Sequence, residues 1–406
     1  MLNIEGKFAS AVVFADEIEE SAREQIGLLL DQPFAEGCRV RIMPDVHAGA
    51  GCVIGFTADL GDKVVPNLVG VDIGCGMLTV ALGKRKVDFA ALDGLIRAEI
   101  PAGTAVHEGR KARFPLEELR MFRELKDSRR LERSLGTLGG GNHFIEVDAD
   151  GEGALYLIIH TGSRNLGKQV AERYQTLAVD LASGKGELFA ARRELIAKFK
   201  AEGRRAEIQP ALKALEASFT VKQPSMPKDL CFLTGPERED YLHDMALCQD
   251  FAVRNRALIA DTLLRGLFGE ELADFDRFET VHNYIDLTDR IVRKGAVSAR
   301  TGERLLIPIN MRDGSLLCEG LGNPDWNCSA PHGAGRLCSR AEARTRFTVE
   351  AFRESMAGVF TTSVGEDTLD ECPMAYKSMD HILKNLGPTA AVKAVLRPRY
   401  NFKAGQ

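Results

Sequence analysis

A chain of 406 residues with 45% hydrophobic and 27% charged residues has the makeup of a globular protein that buries a large core without disulfide or zinc staples. Its apolar runs fall short of the roughly 18 residues a membrane span needs, and its N-terminus, MLNIEGKFASAVVF, lacks the basic-then-apolar order of an export signal. A net charge of −5 advertises no polyanion partner, and nine cysteines without a CxxC pair read as reduced thiols in a cytoplasmic protein.

Apolar periodicity predicts a helix over 16–32, with Ile18, Ala22, Ile26, Leu29 and Leu30 on one face. Strands follow at 38–43 and 52–58, either side of the turn PDVHAG. Residues 63–77 and the LTVAL run after them read as strand, loop and strand. Helices are expected over 88–98 and over the charged stretch 115–134, which Pro115 opens. A strand begins after GGGNH. Another, Leu155–Ile159, ends at His160, a strand-end position from which side chains reach clefts. A helix over 167–182 leads into a basic segment, 185–222, which carries nine Lys/Arg against five Asp/Glu and reads as an inserted helical arm, approximately 183–225. PSMPKD punctuates the chain before a long helix over 237–267. Strands are expected at 281–285, bearing His282, and at 291–299 and 305–310. The Gly-, Asn-, Pro- and Cys-rich stretch 311–338 reads as loop, 339–357 and 376–386 as helices, and the tail AVKAVLRPRYNF as a strand.

The chemistry-bearing residues cluster in glycine-flanked settings. In VGVDIGCGM, Asp72 and Cys75 stand three apart in a stretch that glycine lets fold tightly, so carboxylate and thiol can converge. His143 follows GGGN, His160 precedes TGSR, His282 precedes Asn283, and His332 precedes GAGR. Four imidazoles with one carboxylate and one thiol exceed a single metal ion's needs and suit two ions, with the thiolate between them. Spacing alone leaves open the alternative of separate core histidines. His243 and His381 fall in helical patterns and read as structural, His107 as a loop residue, and His47 as a turn residue held by a hydrogen bond. No P-loop and no strand–GxGxxG–helix occurs. Bare backbone N–H groups at 139–141 and 333–335 can still cradle oxyanions, Arg164 and Arg336 can clamp phosphate, and Glu146 can accept from the N1–H and N2–H of guanine.

The motifs MPDVHAGAG (43–51), VGVDIGCGM (69–77), GGGNHFIEV (139–147), HTGSRNLG (160–167), VHNYI (281–285), RKGA (293–296), PHGAGR (331–336) and AYK (375–377) stand in an order that resembles the RtcB-type RNA ligases along nearly the whole chain. The resemblance implies a single α+β domain over 1–406: a β-sheet core with surrounding helices and the helical arm. It implies joining of RNA 3′-phosphate or 2′,3′-cyclic phosphate ends to 5′-hydroxyl ends with GTP and two Mn²⁺ ions, in RNA repair or tRNA splicing, with a helper protein as a further partner. It matches Asp72, Cys75, His143, His160 and His282 to metal ligands and His332 to the histidine that carries GMP. Asn142, Phe144, Glu146, Asn283, Gly333, Ala334, Gly335 and Lys377 match guanylate contacts, and Arg164 and Arg336 match phosphate or RNA contacts. Two positions depart from the family pattern: Ala50 stands where many relatives carry Lys, and Pro331 where Ser is frequent. A metal-dependent phosphodiesterase or cyclic-phosphate hydrolase is the alternative reading, and a hydrolase would need no covalent guanylate on His332. Length alone allows two or three domains. Ligands spread from Asp72 to His332 favour one interwoven domain.

Overall fold

The computed structural model describes residues 1–405 and is a mixed α+β unit built on two large sheets. The first sheet runs Leu2–Glu5, Ser10–Val13, Val40–His47, Ile54–Asp59, Ile291–Lys294, Tyr284–Ile285. The second runs Arg304–Asn310, Gly314–Gly320, Ala390–Lys403, Phe144–Ala149, Leu155–Thr161, Gly76–Gly83, Arg277–Val281. Apart from the parallel pairing of Ser10–Val13 with Val40–His47, neighbours within these sheets are antiparallel. Each sheet takes strands from distant parts of the sequence, so neither can fold from one contiguous half. A short two-stranded ribbon, Ala296–Ser298 with Ser329–Pro331, delivers the chain directly into His332.

The helix Gly235–Phe268 ties the two sheets together. Tyr241, Met245, Cys248 and Phe251 lie in the core against the first sheet, while Ile259, Ala260, Leu263 and Leu264 lie in the core against the second. At the changeover sit two buried polar residues, Asn255 and Arg256. The helix ends at Gly269, whose positive φ of 70° lets its N–H turn back to the Arg265 carbonyl. The helices Lys185–Ala201 and Ile208–Ser218 form the basic segment, each burying only one leucine, Leu188 and Leu212. No helix among the described residues is long and apolar enough to cross a membrane.

Several stretches differ from the sequence-based expectation: the turn expected at PDVHAG is strand as far as His47, and 63–77 opens on the 3₁₀ turn Pro66–Leu68 where a strand was expected. Residues 115–134 form two 3₁₀ turns and the short helix Ser128–Arg133 rather than one helix. The reason is competition for backbone donors: Asp244 accepts the N–H groups of Arg120 (2.7 Å) and Met121 (3.1 Å), and Gln169 accepts that of Lys126 (2.7 Å). Those N–H groups are therefore withdrawn from a helical ladder. Within 311–338, Gly314–Gly320 is a central strand whose SLLCEG run was masked by the glycines and prolines around it. The strand expected at 281–285 breaks at His282 and Asn283, where Asn283 takes a φ of 63°. The helix expected at 339–357 divides into Arg340–Arg346 and Val349–Ser355, because Thr348 caps a second helix by accepting the Ala351 N–H.

Candidate active site

The end of strand Leu155–Thr161, the start of strand Gly76–Gly83 and the turn after strand Arg277–Val281 meet at one edge of the second sheet. In register, Met77 lies opposite His160, Phe144 opposite His160, and Gly76 opposite Val281. This brings Asp72, Cys75, His143, His160 and His282 together across more than two hundred residues of sequence. Asp72, Cys75 and His143 form one group of converging donor atoms, and Cys75, His160 and His282 a second. Cys75 Sγ lies 3.4 Å from both His143 Nε2 and His160 Nε2. Asp72 Oδ2 is 2.9 Å from His143 Nε2, and the Nε2 atoms of His160 and His282 face each other at 3.5 Å. The thiol belongs to both groups.

The surroundings orient these ligands. Asn142 O accepts from His160 Nδ1 at 3.1 Å, which leaves its Nε2 as a lone-pair donor, while His143 Nδ1 lies 3.0 Å from Leu138 O and 2.9 Å from Arg164 Nη1. Gly162 is required beside Asp72, since a Cβ there would stand 2.2 Å from Asp72 Oδ1. Arg256 Nη1 donates to Gly74 O (3.0 Å) and Thr161 O (2.8 Å), pinning the Asp72–Cys75 turn to the strand that bears His160. Asn255 receives the N–H groups of Gly136 and Thr137 and donates to Thr137 O, fixing the loop before His143. Arg164 sits behind His143, its Nη1 at 3.1 Å from Leu138 O.

Burial raises the Asp72 carboxyl, but the His143 hydrogen bond and the charges of His143 and Arg164 outweigh it and hold the group at about 2. Burial pushes the His160 and His282 imidazoles well below their ordinary range, so both are neutral. Burial and Asp72 push the Cys75 thiol well up, so its ionisation calls for a nearby cation. Asp72 Oδ1 and His282 Nδ1 are buried without hydrogen-bond partners. Neutral imidazoles, an ionised carboxylate, a thiol awaiting a cation and two ring nitrogens facing each other at 3.5 Å fit divalent metal ions.

His332 stands beside this cluster, its ring centroid 4.9 Å from that of His282. Asp45 Oδ2 accepts from His332 Nδ1 at 2.6 Å and from its backbone N–H at 3.1 Å. A neutral imidazole held in this way has its proton on Nδ1 and its lone pair on Nε2. Gly335, at φ 76°, lies so close to Asp45 that a Cβ would be 2.5 Å from its carbonyl oxygen, so the turn after His332 and the strand bearing Asp45 are fitted to each other.

One cleft opens from His332. Asn142, Phe144, Glu146, Gly333, Ala334 and Gly335 line it, as does His47, which ends strand Val40–His47 instead of sitting in a turn and whose Nδ1 lies 2.9 Å from Asp45 O. Arg336 also lines the cleft, with its guanidinium donating to Asp370 O (2.7 Å) and Cys338 O (3.1 Å) and lying 3.4 Å from Glu371. Asn283 and Lys377 use their side chains on the protein itself. Asn283 Oδ1 accepts the Gly295 N–H, and Lys377 Nζ donates to Val46 O. His243 is partly exposed beside Asp244, His381 contacts Pro44 O, and His107 is buried against Gly136 O.

Sequence reasoning passed over Asp45, which sits inside a quoted motif, and Asn255 and Arg256. A polar pair on the buried face of an otherwise apolar helix pattern was the signal for the latter two. It also passed over the far wall of the cleft, where Glu371 is buried among Lys403, Arg340 and the Tyr376 hydroxyl.

The family described as tRNA-splicing ligase RtcB matches the chain over residues 33–124 and 117–404. The chain belongs to the RtcB family. The RNA-splicing ligase RtcB of Escherichia coli K12 is 31% identical over 404 residues, covering 90% of each chain. The tRNA-splicing ligase RtcB of Aeropyrum pernix is 26% identical, covering 88% of this chain and 86% of its own. The RNA-splicing ligase RtcB of Mycobacterium tuberculosis is 26% identical, covering 87% and 94%.

Proposed function

We propose that the chain is an RNA ligase that joins 3′-phosphate or 2′,3′-cyclic phosphate ends to 5′-hydroxyl ends through a GMP carried on His332, with GTP as donor and two Mn²⁺ ions held by Asp72, Cys75, His143, His160 and His282. The observation that carries this reading is a histidine whose Nδ1 is engaged by Asp45, next to a double group of metal donors that share one thiol. When bound, divalent ions supply charge neutralisation at phosphate oxygens. Asp45 holds His332 in the tautomer whose Nε2 is nucleophilic and stabilises the positive charge that grows on the ring during attack. His332 Nε2 forms a bond to the α-phosphorus of GTP as the bond to pyrophosphate breaks. An oxygen of the RNA 3′-phosphate then takes the GMP, breaking the N–P bond and returning the electron pair to Nε2. Attack of the 5′-hydroxyl on the activated 3′-phosphorus forms the phosphodiester and expels GMP; a cyclic end is first opened by water. Glu146, on the cleft wall, is assigned to the guanine edge, and the Gly333–Gly335 turn to the phosphates.

Asp45→Asn tests the orienting role. The amide can present its N–H to the ring, favouring the opposite tautomer, so guanylate transfer to His332 is expected to fall at least about 100-fold with the fold intact by circular dichroism. Unchanged single-turnover labelling from α-³²P-GTP would remove Asp45 from the reaction. The reading as a whole is tested by sealing of a nicked RNA bearing 3′-phosphate and 5′-hydroxyl ends. It requires product only with GTP and Mn²⁺ together, whereas phosphate-ester cleavage without GTP would favour a hydrolase.

A further inference from the structure

Strand Phe144–Ala149 turns Phe144, Glu146 and Asp148 to one face. Glu146 lines the cleft, and Asp148 lies one step deeper, 0% exposed. Their surroundings are largely apolar: Ile158 stands opposite Glu146, Tyr156 and Pro398 opposite Asp148, and Leu396 packs with Phe144 and Ile158. Asn401 Nδ2 donates to Glu146 Oε2 at 2.7 Å. No other hydrogen-bond donor among the described residues reaches Glu146 Oε1 or either oxygen of Asp148. Of the titratable groups nearby, Lys403, on the adjacent strand, also lines the cleft and its charge favours the ionised form of Glu146, but its hydrogen bond goes to another carboxylate, Glu371. The Tyr156 hydroxyl turns to Asp150, and His160 is neutral among the metal donors.

The two carboxyl groups are buried neighbours at alternate positions on one face of the strand, with three of their four oxygens unpartnered. Without a dedicated cation, two such groups do not both ionise readily. Burial, then the charge of Asp148, holds Glu146 well above the ordinary carboxylate range, and burial pushes Asp148 up to about 6. Burial and the scarcity of donors thus favour a state in which the pair holds one proton between them.

We propose that Asp148, which does not line the cleft, is a positioning residue for base recognition: by sharing one proton with Glu146 it sets how strictly the cleft selects guanine over adenine. The inference rests on the guanylate reading of the cleft. An ionised Glu146 offers only acceptors, the complement of the N1–H and N2–H of guanine. A protonated Glu146 offers one donor and one acceptor, the complement of N1 and N6–H of adenine. With the shared proton on Asp148 the first state forms, and with it on Glu146 the second, without exchange with water. Once rising pH removes the shared proton, only the guanine-reading state remains.

The test measures the ratio of protein-bound label from α-³²P-GTP and α-³²P-ATP with the full-length, Mn²⁺-loaded protein between about pH 6 and 8.5. Phosphoryl chemistry is common to both nucleotides and cancels in the ratio. The wild-type ratio is expected to rise with pH, by up to about tenfold per unit. Asp148→Asn removes a negative charge at equal size, so Glu146 ionises at lower pH. The rise then moves down by about one unit, and at pH 7 the variant's ratio exceeds the wild type's by about tenfold. Glu146→Gln, with one fixed donor and one fixed acceptor, is expected to give a low, pH-independent ratio. Labelling by GTP with a wild-type ratio flat in pH, or with the same profile in Asp148→Asn, overturns the inference and leaves guanylate transfer standing. No labelling by either nucleotide overturns the parent reading, and this inference with it. Should Asp148→Asn fail to fold, Asp148→Ser, which also removes the charge, carries the same comparison with the same expected and overturning results.

Discussion

Cys75→Ala is expected to empty both cation sites at once, whereas Asp72→Ala is expected to empty only one. The asymmetry follows from geometry. Cys75 Sγ stands 3.4 Å from a histidine of each donor group, while Asp72 belongs to the group containing His143 and is absent from that of His160 and His282. Bound manganese, measured by elemental analysis after equilibrium dialysis, should fall from about two per chain to near zero in Cys75→Ala and to about one in Asp72→Ala. Ligation should fall by more than about 100-fold in Cys75→Ala, since loss of a shared ligand exceeds the effect of losing an outer-shell partner. Equal stoichiometry in the two variants would remove the thiol from its place between the sites.

The second large effect is on folding. Arg256→Ala is expected to cost about 3–5 kcal/mol of unfolding free energy. The Arg256 side chain is wholly buried, paired with Glu279 at 2.6 Å, and donates to Gly74 O and Thr161 O. Its loss strands a carboxylate and two carbonyls where the two cores meet. Arg254, two residues earlier, provides the internal control. Its side chain is 49% exposed and pairs with Asp250 one helical turn away, so Arg254→Ala should cost less than about 1 kcal/mol. Urea unfolding in the presence of a chelator reads both variants without a contribution from bound metal. Similar midpoints for the two would contradict the role given to the buried guanidinium.

The pattern of what could be read from the sequence has physical causes. Local chemistry was legible. The Asp72–Cys75 turn and the histidines at 143, 160 and 332 sit in glycine-bounded settings that ordinary helix or strand patterns do not produce, His282 stands before Asn283, and the fold gathers them where strand ends meet. The helix at 235–268 was legible from its length and periodicity. Residues 115–134 were misread because their backbone donors go to Asp244 and Gln169, contacts that no local pattern records. The strand Gly314–Gly320 was missed because its partners, Arg304–Asn310 and Ala390–Lys403, complete a central position that turn-rich flanks concealed. Asp45 carries no unusual spacing of its own and becomes visible only when its strand is laid against the turn after His332. Glu371 and Lys403 join the cleft wall from the last part of the chain through a buried ion pair, which is a tertiary fact.

The cleft's components all converge on one nitrogen, and one measurement addresses it directly. The purified protein is incubated with α-³²P-GTP and Mn²⁺ without RNA, denatured, and examined for protein-bound label. The expected label is acid-labile and released by hydroxylamine, as a phosphoramidate is, and is absent from His332→Ala. Stable label on another residue, or no label on a folded, manganese-loaded protein with His332 intact, would contradict it.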